Sequence, residues 1–435
     1  MDLLKQVYKT KNFKQLYDVP FQTTLDKIKI KPKVLLCANI CYGYGDAVFL
    51  LKIYNYMKEW YNIDCDVLSS TPGYFIKNGV KNVFGAKVPG KKYEECALIK
   101  NMKMYNVDSK GEILKRVTQK ETIIYDIILV TPWISDQIPD RNALKGIFPY
   151  SNRFNTFFFS SYNPPSPHLY DFPTGIGKNY YGILLTEPVI LPKNKDTPYP
   201  YLMVHLSYYH SVNINGCFDK FILLMCKKYS KKHTRLDVIL PKLILENEKA
   251  VNKLIETIKE NGYYDEVEII TKKDTAKKYP SSTSVLRLRA ELLPLPFTEY
   301  VNLFNYCLPD VLTTGNQSVS DIVSCCKNYN IYYQIMPWER GFAKGLNNTL
   351  KAPKNYLKNV KTSCGMEQMS FDHQLNLRLI EEKNDFRVLG KAKLTRIIDN
   401  IHKLKNLEYI EYVKIVSSSR KRSTVIQKLK KYLDL

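Results

Sequence analysis

Two short polar stretches carry the side chains best suited to chemistry, and each lies between an apolar run and a segment with helical periodicity. Residues 41–46 place Asp46 beside Gly43 and Gly45, and residues 313–318 combine hydroxyls, amides and a glycine. A carboxylate in such a turn can accept a proton from an attacking nucleophile. A helix N-terminus presents free backbone N–H groups and favours phosphates. Together these features indicate group transfer from a phosphate-linked donor.

The second stretch is predicted to hold the phosphates. A strand-like run at 310–314 stops at Gly315, and a helical pattern follows. Ligands of open α/β sheets bind at this edge. We therefore expect the phosphate contacts to come from Thr314, Gly315, Asn316, Gln317 and Ser318. The alternative for this stretch is an ordinary strand–turn–helix in which Gly315 serves only the turn. For the first stretch, the alternative is that Asp46 is only an N-terminal helix cap.

Further candidates follow predicted strands of the second half. His205, Trp338 and Glu339 stand where they would reach donor or acceptor, and packed side chains are the alternative for His205 and Trp338. Arg287 and Arg289 alternate along a predicted strand, which is typical of a solvated face, with phosphate contact as the alternative.

The elements that position these residues alternate between strand and helix in each half. The apolar run at 33–40 is typical of a parallel strand buried on both faces, and the rhythm restarts near residue 200. Polar residues 91–120 indicate helices or an insertion, and the pattern from about 370 is helical. We predict an α/β fold of two facing Rossmann-like domains with a cleft between them and C-terminal helices. A single large doubly wound sheet is the alternative.

The chain has 435 residues, enough for two hydrophobic cores. We predict an N-terminal arm, an acceptor domain, a donor-binding domain, and terminal helices with a basic tail. Their respective ranges are 1–32, 33–195, 196–365 and 366–435.

The composition is globular and strongly basic, with a formal net charge of +23. Such a field attracts nucleotides, nucleic acid or an anionic surface. The 10 cysteines form no C-x-x-C pair and mostly lie in apolar runs, which indicates reduced thiols in the cytoplasm. The 6 histidines lack metal-ligand spacing, and no apolar run is long enough for a membrane span.

The two stretches also resemble known motifs. Residues 43–53, GYGDAVFLLKI, look like the first-domain turn of GT-B glycosyltransferases, whose Gly-rich loop faces the acceptor. PDVLTTGNQSVSDIV, followed by IYYQIMPW, resembles their second domain, where a G-x-x-S turn holds the nucleotide diphosphate. The nearest resemblance is to protein-arginine rhamnosyltransferases, and a more remote one is to O-GlcNAc transferases. The resemblance to the rhamnosyltransferases implies that Asp46 is the base and that Gly315, Gln317 and Ser318 contact the diphosphate. In this chain, Asn316-Gln317 replaces the acidic pair of the rhamnosyltransferase diphosphate turn.

The predicted function is therefore a hexosyltransferase-like glycosyltransferase that moves a sugar from a nucleotide-sugar to a protein, glycan or nucleic-acid acceptor. The resemblance implies a reaction without a metal or another cofactor, because the GT-B fold holds the diphosphate with helix N-termini and basic groups, and the absence of a D-x-D motif at the end of a strand fits this fold. Two alternatives stay open. One is a protein that binds or modifies nucleic acid, DNA included, indicated by the charge and a basic run at 420–431. The other is an inactive GT-B-like protein with a structural or interaction role.

Overall fold

A computed structural model describes most of both halves of the chain. The described residues are 31–38, 45–87, 103–117, 125–133, 155–186, 190–206, 214–272, 277–325, 329–335, 339–350, 360–361, 367–373 and 385–417. Within the described ranges, no helix is both long and apolar enough to cross a membrane.

The first half forms a seven-stranded sheet in the order β5-β4-β3-β2-β1-β6-β7. Strands β3, β2, β1, β6 and β7 run parallel. The strands are β1 (Val34–Ala38), β2 (Asp66–Ser69), β3 (Val83–Lys87), β4 (Lys103–Val107), β5 (Ile113–Arg116), β6 (Ile127–Trp133) and β7 (Thr156–Ser160), and the helices are α1 (Gly45–Tyr61) and α2 (Pro72–Lys77). Strand β1 is buried along its whole length, as its apolar sequence predicts for a strand covered on both faces.

The second half forms an eight-stranded sheet in the order β10-β11-β9-β8-β12-β13-β15-β14, parallel from β10 to β13. The strands are β8 (Tyr201–His205), β9 (Arg235–Ile239), β10 (Glu266–Ile270), β11 (Val285–Arg289), β12 (Asp310–Thr314), β13 (Tyr329–Ile335), β14 (Val360–Lys361) and β15 (Glu367–His373). The helices are α3 (Ile214–Tyr229), α4 (Glu248–Glu260), α5 (Phe297–Phe304), α6 (Asn316–Cys325), α7 (Arg340–Leu350) and α8 (Phe386–Ser417).

Local sequence explains why these helices form where they do. Helix α4 begins after Asn247, whose side chain accepts a hydrogen bond from the Ala250 amide, and it buries Val251, Leu254 and Ile258 on one face. Helix α1 is buried along most of its length because it packs on β1 and β6 on one side and on α6 on the other.

The two sheets are separate, and the two halves share one buried apolar cluster that includes Leu50 and Ile53 of α1 and Ile322 and Val323 of α6. Helix α7 also reaches the first half. A Cβ built on Gly341 would lie 2.3 Å from the backbone oxygen of Asn163, so only glycine permits this approach. The predicted fold class, two facing Rossmann-like α/β units with a C-terminal helix, is therefore confirmed, and the alternative of a single sheet is wrong.

The final helix returns to the first half. Phe386, at the start of α8, is fully buried and packs against Tyr56, Phe159 and Phe172, with ring centroids 6.2, 5.7 and 6.3 Å away. Its amide donates to the Ile183 oxygen at 3.1 Å. The last described helix thus completes the core of the first half.

Two expectations of helices are wrong. For 91–120 the alternatives were helices or an insertion, and the described part is the antiparallel hairpin β4–β5 at the sheet edge, where polar strands are tolerated, so the helical alternative fails. Residues 371–373 belong to strand β15, which pairs antiparallel with β13, so the helical pattern from about 370 does not hold there.

Candidate functional site

The predicted phosphate turn lies between β12 and α6. Gly315 has φ +92°, a left-handed conformation that favours glycine. A Cβ built on it would contact only the Ser318 Oγ, at 3.6 Å, so the turn is open on that side. The Gly315 oxygen accepts from the Val319 amide at 3.2 Å. The amides of residues 316–318, which precede Val319, have no acceptor within the helix, and amides at this position favour anions.

This turn occupies the point where the second sheet reverses its strand order. Strands β8 and β12 are neighbours, and the chain continues from β8 to one side and from β12 to the other. Ligands of open α/β sheets bind at such a switch point. His205 pairs in register with Thr313 at this edge, and its ring lies 5.7 Å from that of Tyr300. Burial lowers the pKa of His205, and Asp321 opposes the shift, so the imidazole is neutral at neutral pH.

The described end of the first predicted turn, Gly45 and Asp46, lies at the boundary between the halves. Helix α1 begins at Gly45 and carries Asp46 in its first turn. It follows β1, which with β6 forms the switch point of the first sheet. A Cβ built on Gly45 would lie 3.8 Å from the Cβ of Gln317. The two helix N-termini are therefore adjacent, whereas Gly43 lies outside the described residues.

Beneath these N-termini, a buried polar network joins the halves. Lys52 Nζ lies 3.0 Å from Asp321 Oδ1 and donates to the Leu184 oxygen at 2.8 Å. Thr186 Oγ1 donates to the same carboxylate oxygen at 2.5 Å, and Ser320 Oγ to the Leu184 oxygen at 2.7 Å. Burial lowers the pKa of Lys52, and its attraction to Asp321 opposes that shift. The predicted cleft is thus closed along α1 and α6 at this depth.

Gln317 belongs to this network. Its Nε2 donates to Asp321 Oδ1 at 3.0 Å, and its Oε1 accepts from the Tyr162 hydroxyl at 3.4 Å. The Tyr162 oxygen accepts in turn from the Leu184 amide at 2.8 Å. Both ends of the carboxamide are therefore engaged, so the predicted phosphate contact of Gln317 would use its backbone N–H.

Asn316 is held from the opposite side. The Tyr333 hydroxyl donates to Asn316 Oδ1 at 2.7 Å. Burial raises the pKa of Tyr333, and the charge of the nearby Glu339 raises that pKa further. Glu339 is therefore linked to the turn through Tyr333. Trp338 lies outside the described residues.

Arg287 and Arg289 are placed differently from the solvated face that their alternation indicates. Arg287 donates twice to Asp237, at 2.6 and 2.7 Å, and Arg289 Nη1 lies 3.1 Å from the same carboxylate. Asp237 is completely buried. Both guanidinium groups of β11 therefore pair with the buried Asp237 carboxylate of the neighbouring strand β9, and the three side chains form a structural ion-pair cluster.

Sequence reasoning missed the residues that join the halves and one buried carboxamide at the sheet edge, Gln334. The signal for Gln334 was available, since it is a polar residue within the apolar run of β13. No local signal pairs Lys52 with Asp321, because the two are 269 positions apart. Among the residues with described positions, no group of three or more His, Cys, Asp or Glu is arranged to hold a metal ion.

Comparison with known proteins gives matches of fold only. No protein-family profile matches the sequence, and no curated protein matches it. Among solved structures, a putative UDP-N-acetylglucosamine 2-epimerase from Listeria monocytogenes has a TM-score of 0.41 at 9% identity, with 73% of this chain and 82% of that chain covered.

Two further solved structures are similar at the same level. An alpha,alpha-trehalose-phosphate synthase (UDP-forming) from Burkholderia vietnamiensis has a TM-score of 0.38 at 9% identity, covering 86% of this chain and 99% of that one. The E. coli heptosyltransferase WaaC with ADP-2-deoxy-2-fluoro heptose has a TM-score of 0.30 at 9% identity, covering 67% of this chain and 85% of that chain. At such identities, the function has to be inferred from the residues of this chain.

Proposed function

We propose that this protein is a glycosyltransferase that takes a sugar from a nucleotide-sugar donor. The observation that carries the proposal is the adjacency of two helix N-termini, one with the carboxylate of Asp46 and one with the open turn at Gly315. The free amides of 316–318 would hold the diphosphate, because a helix N-terminus favours negative charge. Asp46, in the facing turn, would meet the acceptor.

The chemistry follows from this arrangement. An acceptor oxygen or nitrogen attacks the anomeric carbon, and its proton passes to the Asp46 carboxylate. The bond from the anomeric carbon to the phosphate oxygen breaks, and the diphosphate leaves with the electron pair. The amides at the start of α6 stabilise the negative charge that develops on it. The proposed reaction is metal-independent, and the amides carry this task. A cytoplasmic location remains a prediction.

The phosphate site is tested by calorimetric titration of the wild type with inorganic pyrophosphate, ADP, UDP, GDP and dTDP. Gly315→Val places a side chain on the open face of the turn, and we expect it to weaken binding of every one of these ligands by at least ~10-fold. Gly79→Val is the matched control, because Gly79 also has a positive φ, of 80°, and open space around it, but lies after α2.

Four outcomes separate the hypotheses. Weak binding by a folded Gly315→Val protein, with wild-type binding by Gly79→Val, supports the proposed phosphate site. If both variants bind the ligands as tightly as the wild type does, phosphates bind elsewhere. A wild type that binds neither pyrophosphate nor any nucleotide contradicts the proposed function. The inactive alternative predicts that a nucleotide-sugar is bound but neither transferred nor hydrolysed.

A further inference from the structure

Gln334, near the end of β13, has a completely buried side chain whose polar atoms are unsatisfied. Neither its Oε1 nor its Nε2 has a hydrogen-bond partner in the part of the chain that the structure describes. A buried carboxamide without partners is costly, and native proteins rarely retain one. A ligand group that supplies the missing hydrogen bonds explains why this position carries glutamine.

Gln334 stands beside the phosphate turn. It pairs in register with Thr314, the last residue of β12, and the Thr314 hydroxyl donates to the Gln334 main-chain oxygen at 3.0 Å. Gly315 and the N-terminus of α6 follow directly. The unsatisfied carboxamide is therefore at the same sheet edge as the proposed diphosphate site, one strand away.

The face of the sheet indicates which part of a donor would reach Gln334. Side chains alternate along β13, and Tyr333 faces α6, where it donates to Asn316. Tyr332 faces the other side, with its ring 5.2 Å from that of Phe221 in α3. Gln334 shares the face of Tyr332. It consequently points away from α6 and from the first half, where Asp46 lies.

From this placement we infer that Gln334 is a specificity-determining residue that reads the nucleobase of the donor. The inference rests on the proposed function. If the diphosphate lies at α6 and the sugar points to Asp46, the nucleoside must leave the diphosphate in the opposite direction, toward the face of Gln334. A carboxamide presents a donor next to an acceptor and pairs bidentately with a base edge of complementary pattern.

The test compares nucleotide binding with pyrophosphate binding, because pyrophosphate has no base. In the wild type, the best of ADP, UDP, GDP and dTDP should bind more tightly than pyrophosphate and more tightly than the other three. Gln334→Leu keeps the size of the side chain and removes its hydrogen bonds. We expect the preferred nucleotide to lose roughly 10-fold in affinity, as two lost hydrogen bonds imply. Preference among the bases should disappear, with pyrophosphate affinity unchanged.

Tyr264→Phe is the matched control. The Tyr264 hydroxyl is also buried and has no partner among the described residues, but it lies after α4, away from this sheet edge. Both substitutions should raise the melting temperature, because each removes unsatisfied polar atoms, but only Gln334→Leu should alter base preference. Gln334→Glu, which exchanges a donor for an acceptor, should change the ranking of the bases, and it substitutes for the leucine variant if that variant does not fold.

Each result decides the inference. Loss of base preference with unchanged pyrophosphate binding supports it. Base preference retained in Gln334→Leu and Gln334→Glu overturns it and leaves the proposed phosphate site intact. A wild type that binds pyrophosphate but does not discriminate among bases overturns it as well. A wild type that binds none of the five ligands overturns both this inference and the proposed function.

Discussion

Lys52 of α1 and Asp321 of α6 form a buried ion pair, with Nζ and Oδ1 3.0 Å apart, that joins the two halves of the protein. The pair holds together the two helices whose N-termini form the proposed site. Its carboxylate also accepts from Thr186 and Gln317, so Asp321 connects three segments of the chain.

Removing one partner of this pair should be strongly destabilising. Lys52→Met or Asp321→Leu leaves the other charge buried, which typically costs about 3–5 kcal/mol in the free energy of unfolding. The double variant should recover most of that loss, since no buried charge remains. Urea denaturation of the three variants measures this.

An exposed pair between Lys58 of the same helix and Asp64, which follows that helix, provides the control. Lys58 Nζ lies 3.6 Å from Asp64 Oδ1, with about half of each side chain exposed, so Lys58→Met should cost only ~0–1 kcal/mol. Single Lys52 or Asp321 variants as stable as Lys58→Met would show that the buried pair does not hold the halves together.

Asp46→Asn tests the assignment of the base. The substitution keeps the shape and most of the capping ability of the residue but removes the proton acceptor. We expect kcat for sugar transfer to fall by about 10²–10⁴-fold, with donor affinity nearly constant. Glu59→Gln changes the same charge near the other end of α1, at an exposed position, and should leave kcat unchanged.

The helix-cap alternative predicts the reverse for Asp46→Asn, namely normal kcat and a stability loss of at most about 1 kcal/mol. Wild-type turnover by the variant, with a verified sequence and fold, would remove Asp46 from the catalytic step.

Asp219 of α3 should make stability depend on pH. Burial raises its pKa to about 6, and Lys253 opposes the shift. The folded protein therefore binds a proton at this site more tightly than the unfolded chain does. Its contribution is present at low pH and is lost as pH rises from about 4 to about 6. Asp219→Asn should consequently be more stable than the wild type at about pH 7, and this advantage should vanish near pH 3.5.

Asp265 provides a control of opposite sign. Hydrogen bonds from the Ser284 amide and hydroxyl lower its pKa, so Asp265→Asn should lose stability at neutral pH and match the wild type in acid. Thermal melts of both variants across this pH range check the two signs. An equal pH dependence in wild type and Asp219→Asn would exclude Asp219 as its source.

Local sequence predicted the elements whose physical cause is local. The uninterrupted apolar run of β1 and the strand–glycine–helix order around Gly315 are specified by adjacent residues. The structure places the N-termini of α1 and α6 side by side, as facing domains require. The roles assigned to Asp46 and to 314–318 remain predictions.

Elements that depend on distant partners were not predictable in this way. The alternation of Arg287 and Arg289 is the pattern of a solvated face. Their buried partner, Asp237, is 50 and 52 positions away in sequence, so the local pattern could not show the pairing. Strand β15 is specified by its pairing with β13, which outweighs the helical spacing of its apolar residues. The contact of α1 with α6 likewise depends on how the two sheets pack.

The position of Phe386 affects how this protein is synthesised. Phe386 fills the core around Phe159 and Phe172, yet it leaves the ribosome roughly 200 residues after them. At about 5–20 residues per second, that delay is on the order of 10–40 s. The first half cannot complete its core during this interval, and its exposed aromatic surface is available to chaperones or to other nascent chains.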